Sequence, residues 1–244
     1  MCELFGASAS EPTNLARWLG PFRQRGGGTA DNGDGWGVAY WQDGPVRMEK
    51  SPEPGHQSRR LEELALTLRA PLVLAHVRKA NFPPVPGMLN THPFAHACCG
   101  REWVFAHNGT VPAVTRWPCA SAICRPDGET DSETAFCHLL AGIAGEYAEG
   151  ARPHWLELLT KLAKSISDTG QFNFLLSDGR SLYAYGHDRL HYREAAEEGL
   201  TLVASEPLSA DGWRSFSPGE LRVYRDGRLV ADFCAGSLVA TACA

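Results

Sequence analysis

Cysteine at position 2 puts a thiol next to the start of the chain, and a small side chain there lets methionine aminopeptidase remove Met1 and free the cysteine's own amine. An α-amino group titrates near ~7.7 to 8.0 and a thiol near ~8.5, so at neutral pH the amine can accept the thiol proton. Nucleophile and base then come from one residue. An inert thiol would give the same Met-Cys start, so other residues must supply the case. Arg78 follows the apolar run Leu72-Val73-Leu74-Ala75-His76-Val77, and its guanidinium fork could hold a carboxylate by two parallel hydrogen bonds. Asn108-Gly109 closes a second run, Trp103-Val104-Phe105-Ala106, where a side-chain amide and an unhindered backbone N–H could aim at one oxyanion. Taken singly, Arg78 reads equally as a surface arginine and Asn-Gly as a hairpin turn. Asp131, in Gly128-Glu129-Thr130-Asp131-Ser132-Glu133, could meet an ammonium group or merely cap a helix. His92, in Asn90-Thr91-His92-Pro93-Phe94, could be a ligand, a base or a hydrogen-bonded structural residue, and the last is favoured.

These residues need rigid elements behind them. A strand is expected over Cys2 to Ser8, then a helix opening near Pro12-Thr13-Asn14 and a glycine-rich loop from Arg25 to Gly35. Trp36 to Trp41 and Val46 to Lys50 read as a hairpin, and residues 57 to 69 as a helix stopped by Pro71. The two apolar runs suit strands buried on both faces, with a proline-rich loop (Pro83, Pro84, Pro86, Pro93) between them. Apolar spacing predicts helices over Asp131 to Tyr147 and Trp155 to Ile166. Strands follow over Phe172–Leu176, Ser181–Tyr185, Leu190–Arg193, Leu200–Ala204 and Leu221–Ala231, with Asp178-Gly179 and Asp226-Gly227 as turn signals. No repeat or linker divides the chain, so residues 1–244 are read as a single domain.

The net charge of -5, from 28 acidic and 23 basic residues without a Lys/Arg block, makes nucleic acid an unexpected partner. The start lacks a signal-peptide pattern and no stretch approaches the ~20 apolar residues of a membrane span, so a cytoplasmic location is expected. In that reducing setting the 8 cysteines are expected as free thiols. Cys98, Cys99, Cys119 and Cys124 with His92, His96 and His107 invite a zinc reading, but the spacing offers no Cys-x-x-Cys pair, and no metal site is expected.

The combination resembles the class II glutamine amidotransferases, or type 2 amidotransferase domain, within the N-terminal nucleophile hydrolases, and most of all their stand-alone bacterial subgroup. The likeness runs through Cys2, Arg25-Gly26, Asp34-Gly35-Trp36-Gly37, His76 to Arg78, Asn90 to Pro93, His107 to Gly109 and Glu129 to Glu133, and extends over Gln171 to Gly179 and Val203 to Leu208. It implies an α+β fold, a four-layer αββα sandwich of two stacked, mainly antiparallel sheets with the active site at one edge. It further implies Cys2 as nucleophile, Asn108 and Gly109 as oxyanion hole, and Arg78 and Asp131 as holders of the glutamine α-carboxylate and α-amine. Arg25 and Gly26 would shape the loop around the N-terminus, and His92 is kept beside Arg78 and Asp131 as a substrate-side candidate. No cofactor is required. The chain departs from the larger synthases at Lys79-Ala80-Asn81-Phe82, which bears on recognition near the γ-amide.

The expected reaction is hydrolysis of glutamine through a Cys2 thioester, releasing ammonia and glutamate. The chain ends at residue 244 without an acceptor domain, so either a separate synthetase subunit takes the ammonia or the enzyme hydrolyses a γ-glutamyl amide, as similar proteins of ergothioneine synthesis and glutathione degradation do. A catalytically silent domain that binds a γ-glutamyl ligand is the non-enzymatic alternative.

Overall fold

The computed structural model describes residues 1–80, 87–118, 122–148 and 155–234. The expectations for Pro83, Pro84, Pro86, Asn81, Phe82 and Cys119 lie outside the described residues.

Strand β1 (Glu3–Asn14) leads into helix α1 (Ala16–Gln24), and the hairpin of β2 (Trp36–Trp41) and β3 (Arg47–Ser51) precedes α2 (Arg59–Thr67) and β4 (Arg69–Val77). β5 (Phe94–Cys98) and β6 (Arg101–Thr110) follow, then α3 (Asp131–Ala148) and α4 (Trp155–Ser167). The remainder is strand: β7 (Gln171–Ser177), β8 (Leu182–Gly186), β9 (His191–Ala195), β10 (Leu200–Ala204), β11 (Arg214–Ser215), β12 (Glu220–Arg225) and β13 (Arg228–Phe233). They form a seven-stranded sheet, β11-β9-β10-β1-β4-β2-β3, and a six-stranded sheet, β13-β12-β8-β7-β6-β5. The neighbouring strands run antiparallel.

Side-chain alternation explains the layering, because successive residues of a strand face opposite sides of its sheet. Leu4 of β1, Leu72 and Leu74 of β4 and Val104 and Ala106 of β6 meet in the core between the sheets. Phe5, Ala7, Val73 and Ala75 face the other way, onto Trp18, Leu19 and Phe22 of α1 and Leu61 and Leu64 of α2. Phe105, Phe172 and Phe174 likewise cover Phe136 and Leu140 of α3 and Leu159 of α4. Two sheets covered on both outer faces by helices make four layers, and each buried aromatic or leucine contributes roughly 1.5–3 kcal/mol. Gly6 lets the sheets close, since a Cβ there would lie 2.9 Å from Leu175 Cδ1.

The structure corrects the expected start of α1. β1 runs on to Asn14 because Thr13 and Asn14 pair with Ala70 and Arg69 after a register shift. Pro12, which has no N–H to give a ladder, sits within that irregularity. The expected polar cap is not used: Leu15 takes the cap position without a side-chain hydrogen bond, and Asn14 Oδ1 instead accepts from Ala16 N at 2.9 Å in the turn that enters the helix. Helix α2 ends at Thr67, before Pro71, which lies inside β4. The expectation of free thiols also fails in part: Cys124 and Cys137 form a disulfide. Compartment arguments carry no distance information, and the packing of the loop before α3 against that helix brings the two Cα atoms to 5.0 Å. Among the described residues, no helix is long and apolar enough to cross a membrane.

Candidate active site

The pairing of Glu3 with Val77 places Cys2 beside the residues that follow β4. Its sulfur is held between backbone groups of one residue, accepting from Lys79 N and donating to Lys79 O, both at 3.2 Å. Asp34 and Gly35 lock that segment in turn, by Asp34 N to Arg78 O at 3.0 Å, Arg78 N to Gly35 O at 2.8 Å and Ala80 N to Asp34 Oδ2 at 2.8 Å. Arg78 is buried directly beyond the strand, its guanidinium 3.5 Å from the Asp34 carbonyl oxygen. Burial pushes the Cys2 thiol up; the Lys79 N–H, the N-terminal ammonium and Arg78 pull the other way.

Arg25 forms an ion pair with the Glu3 carboxylate at 3.1 Å, and Asn32 Nδ2 donates to Arg25 O at 3.2 Å and to Glu3 Oε1 at 3.4 Å. Gly26 bridges to Asp31 in the same loop, where a Cβ would lie 3.0 Å from Gly55 Cα and 3.1 Å from Val77 Cγ1. The Arg25–Gly26 loop thus braces the residue next to Cys2. Burial raises the Glu3 carboxyl, Arg25 opposes it and nearby Glu206 adds to the rise.

Asn108 and Gly109 lie inside β6, paired with Asn173 and Phe172 of β7, so they do not form a hairpin turn. Gly109 has φ +146°, and a Cβ there would land on the Gln171 carbonyl oxygen. Asn108 Nδ2 donates to Ser205 Oγ at 2.8 Å, and Ser205 Oγ also accepts from Leu4 N at 2.9 Å. Asp131 opens α3 without capping it. Thr130 Oγ1 accepts from Glu133 N at 3.2 Å as the cap, which leaves the Asp131 carboxylate to accept from Val111 N at 2.7 Å, two residues past Gly109.

Cys2 and Asn108 line one cavity of about 190 Å³, together with Met1, Asp31, Asn32, Arg189, Ser205 and Glu206. That is smaller than a drug-sized site and suits a small polar ligand. Arg78, Gly109 and Asp131 do not line it: Arg78 precedes Lys79, whose backbone holds the Cys2 sulfur, Gly109 follows Asn108, and the Asp131 carboxylate accepts from Val111 N. His92 stands further back, buried and stacked on His76 with ring centroids 4.2 Å apart, and neither ring nitrogen has a hydrogen bond among the described residues. Gly37 makes room for it, since a Cβ there would strike the His92 carbonyl oxygen. Two larger cavities, of about 360 and 400 Å³, share Trp41, Gly44, Gly179 and Arg180 and are lined by none of the candidate catalytic or substrate-binding residues.

The family model for the class II glutamine amidotransferases matches residues 1–196. The chain belongs to that family. YafJ of Escherichia coli (strain K12), whose name places it among the glutamine amidotransferases, is 33% identical over 94% of this chain and 100% of its own length. The gamma-glutamyl-hercynylcysteine sulfoxide hydrolase of Mycobacterium tuberculosis (strain ATCC 25618 / H37Rv) is 29% identical over 79% of this chain and 75% of its own. The crystal structure of a predicted glutamine amidotransferase from Pseudomonas aeruginosa PA01 superposes with TM-score 0.70 at 30% identity, covering 94% and 100% of the two chains. The glutamine phosphoribosylpyrophosphate amidotransferase of B. subtilis shares the fold at TM-score 0.71 and 16% identity, over 98% of this chain and 50% of that one.

For this amidotransferase, residue-by-residue reading of the sequence passed over the far wall of the cavity. Arg189 and Glu206 pair at 2.9 Å there, and Asn173 Oδ1 accepts from the backbone N–H groups of His187, Asp188 and Arg189, fixing the loop that carries Arg189. A signal existed. Ser205-Glu206 follows the apolar strand β10 with polar groups, just as Arg78 follows the apolar run of β4 and His107-Asn108 follows the apolar run Trp103–Ala106.

Proposed function

We propose that this amidotransferase hydrolyses the γ-carboxamide of glutamine through Cys2, freed by removal of Met1, as a single domain over residues 1–244. One observation carries the reading: Cys2 and Asn108, 106 residues apart in the chain, line one small cavity, and Arg78 directly precedes Lys79, the residue whose backbone holds the Cys2 sulfur. Met1 lines the same cavity, so its loss would free the Cys2 amine and widen the space for substrate.

With the thiol raised by burial, proton transfer to the residue's own amine accompanies attack on the γ-carbon. Asn108 and the Gly109 N–H receive the oxyanion; as the intermediate collapses, the γ-carbon–nitrogen bond breaks and the Cys2 ammonium passes its proton to the departing ammonia, and water then hydrolyses the thioester to glutamate and free Cys2. The Asn108 amide suits this best when turned by half a turn, so that Ser205 Oγ–H donates to Oδ1. Oδ1 otherwise has no hydrogen bond, and the turn leaves both Nδ2 hydrogens for the substrate. Arg78 would grip the substrate α-carboxylate and Asp131 its α-amine, with His92 as packing behind them. Released ammonia would pass to a separate synthetase subunit, and the enzyme would work in the cytoplasm.

Similarity to the mycobacterial hydrolase supports a second reading, a γ-glutamyl amide other than glutamine. The glutamyl half and the chemistry are the same, and only the leaving amine differs. Purified enzyme assayed with glutamine and with γ-glutamyl peptides, following ammonia and glutamate separately, decides between them. Glutamate from peptides with no glutaminase turnover would replace the first reading by the second, and no turnover with either would refute both.

A further inference from the structure

Under the first turns of α3, three soft metal ligands converge away from the Cys2 cavity. His96 of β5, Cys124 of the loop before α3 and Cys137 of α3 itself place one ligand atom each within 4.8 Å of one another. Both sulfurs are buried, and the imidazole is partly exposed. Glu133 Oε1 lies 3.3 Å from His96 Nε2, and Glu133 Oε2 is fixed by Gly128 N at 2.8 Å. A carboxylate beside a metal-binding imidazole is the arrangement that orients the ring and raises its basicity.

We propose that, once the Cys124–Cys137 disulfide is reduced, His96, Cys124 and Cys137 bind a zinc ion. Two thiolates and an imidazole are a donor set that zinc prefers, and a tetrahedral site with Zn–S near ~2.3 Å and Zn–N near ~2.0 Å separates its ligand atoms by roughly 3.5–3.8 Å. Atoms already within 4.8 Å reach that spacing with small side-chain shifts. Reduction by a phosphine turns the S–S bond into two thiols. Phosphorus supplies the two electrons that the S–S bond accepts, and water supplies the oxygen of the phosphine oxide and the two thiol protons. Zinc binding then displaces both thiol protons to solvent. Water fills the fourth position past the partly exposed His96. The ion would tie the segment from residue 125 to 130 to the helix it precedes, and that segment carries the Thr130 cap and leads into Asp131.

The test uses the full chain, purified with a phosphine reductant, incubated with zinc, dialysed, and analysed for bound metal by mass spectrometry. One zinc per chain is expected, falling to under about a tenth in Cys124→Ser and Cys137→Ser, with cobalt(II) substitution giving thiolate charge-transfer absorption. Should the serine variants fold poorly, Glu133→Gln provides the second arm, expected to weaken zinc about 10- to 100-fold in competition with a chromophoric chelator. Reduced wild-type protein that retains no zinc, a wild-type zinc content in either serine variant, or unchanged affinity in Glu133→Gln would each overturn the site.

Discussion

Asn108 Nδ2 and Ser205 Oγ are 2.8 Å apart, and they join the two sheets at the cavity edge. Asn108 lies in β6 of the six-stranded sheet, and Ser205 directly follows β10 of the seven-stranded one. Because Ser205 also accepts from Leu4 N, the amide proposed to hold the oxyanion is braced by the strand that begins next to Cys2. The proposed nucleophile and oxyanion donor therefore share a scaffold, and catalysis that depends on preorganised donors needs such bracing.

Replacing either end of this arrangement should stop turnover in different ways. Cys2→Ala is expected to abolish glutamate release. Asn108→Ala should lower kcat by ~10² to 10³ while substrate still binds. Calorimetry of substrate binding alongside steady-state assay checks both, and wild-type turnover in either variant would remove its assigned role.

Ser205→Ala should lower kcat by about tenfold, less than loss of the donor itself, with KM little changed. It also strips the Leu4 N–H of its side-chain acceptor, so a stability loss of about 1–3 kcal/mol is expected in urea unfolding. A raised KM at unchanged kcat would contradict a role in holding Asn108.

Arg78→Lys keeps the charge but loses the fork. Since hydrogen bonds to charged groups contribute about 1.5–3 kcal/mol, KM for glutamine should rise roughly 10- to 100-fold. A glutamine analogue lacking the α-carboxylate should be insensitive to this change, and equal sensitivity would place the carboxylate elsewhere.

Gly109→Ala should destabilise the protein by about 1–3 kcal/mol, because the new Cβ meets the Gln171 carbonyl oxygen and φ is positive. The same substitution at Gly44, where nothing lies within 4 Å although φ is also positive, separates strain from collision. Equal urea midpoints for the two variants would show that the collision is relieved.

Stability should fall as the pH drops below neutrality. Burial lowers His76 to about 3, and it lowers His92 and His107 as well. Between about pH 6.5 and the folded values, the unfolded chain binds protons that the native state refuses. The stabilisation is therefore complete above about 6.5 and declines as pH falls, by up to about 1.4 kcal/mol per pH unit for each histidine. Urea midpoints from pH 7.5 to 5 measure the slope, and a flat profile would show that these rings take up protons in the native state.

The sequence by itself determined most of the strands and helices, and the order of motifs from Cys2 to Asp131, because periodicity, β-branched runs and turn residues act over a few neighbours; β5, set after the prolines of the expected loop, and the two-residue β11 carried no such signal. Leu72–Val77 and Trp103–Ala106 read correctly as strands buried on both faces, since each must cover a helix on one side and a sheet on the other. Only the tertiary structure decided which strand ends meet. Ser205 reaches Asn108 across 97 residues because β10 lies beside β1 in one sheet while β6 stacks in the other, and no local pattern encodes that order. The same reason hid the junction of Cys124 with Cys137, the stacking of His92 on His76, and the choice of Thr130 over Asp131 as the α3 cap. Residue types declared the available chemistry, and the stacking of two sheets set the distances over which it can act.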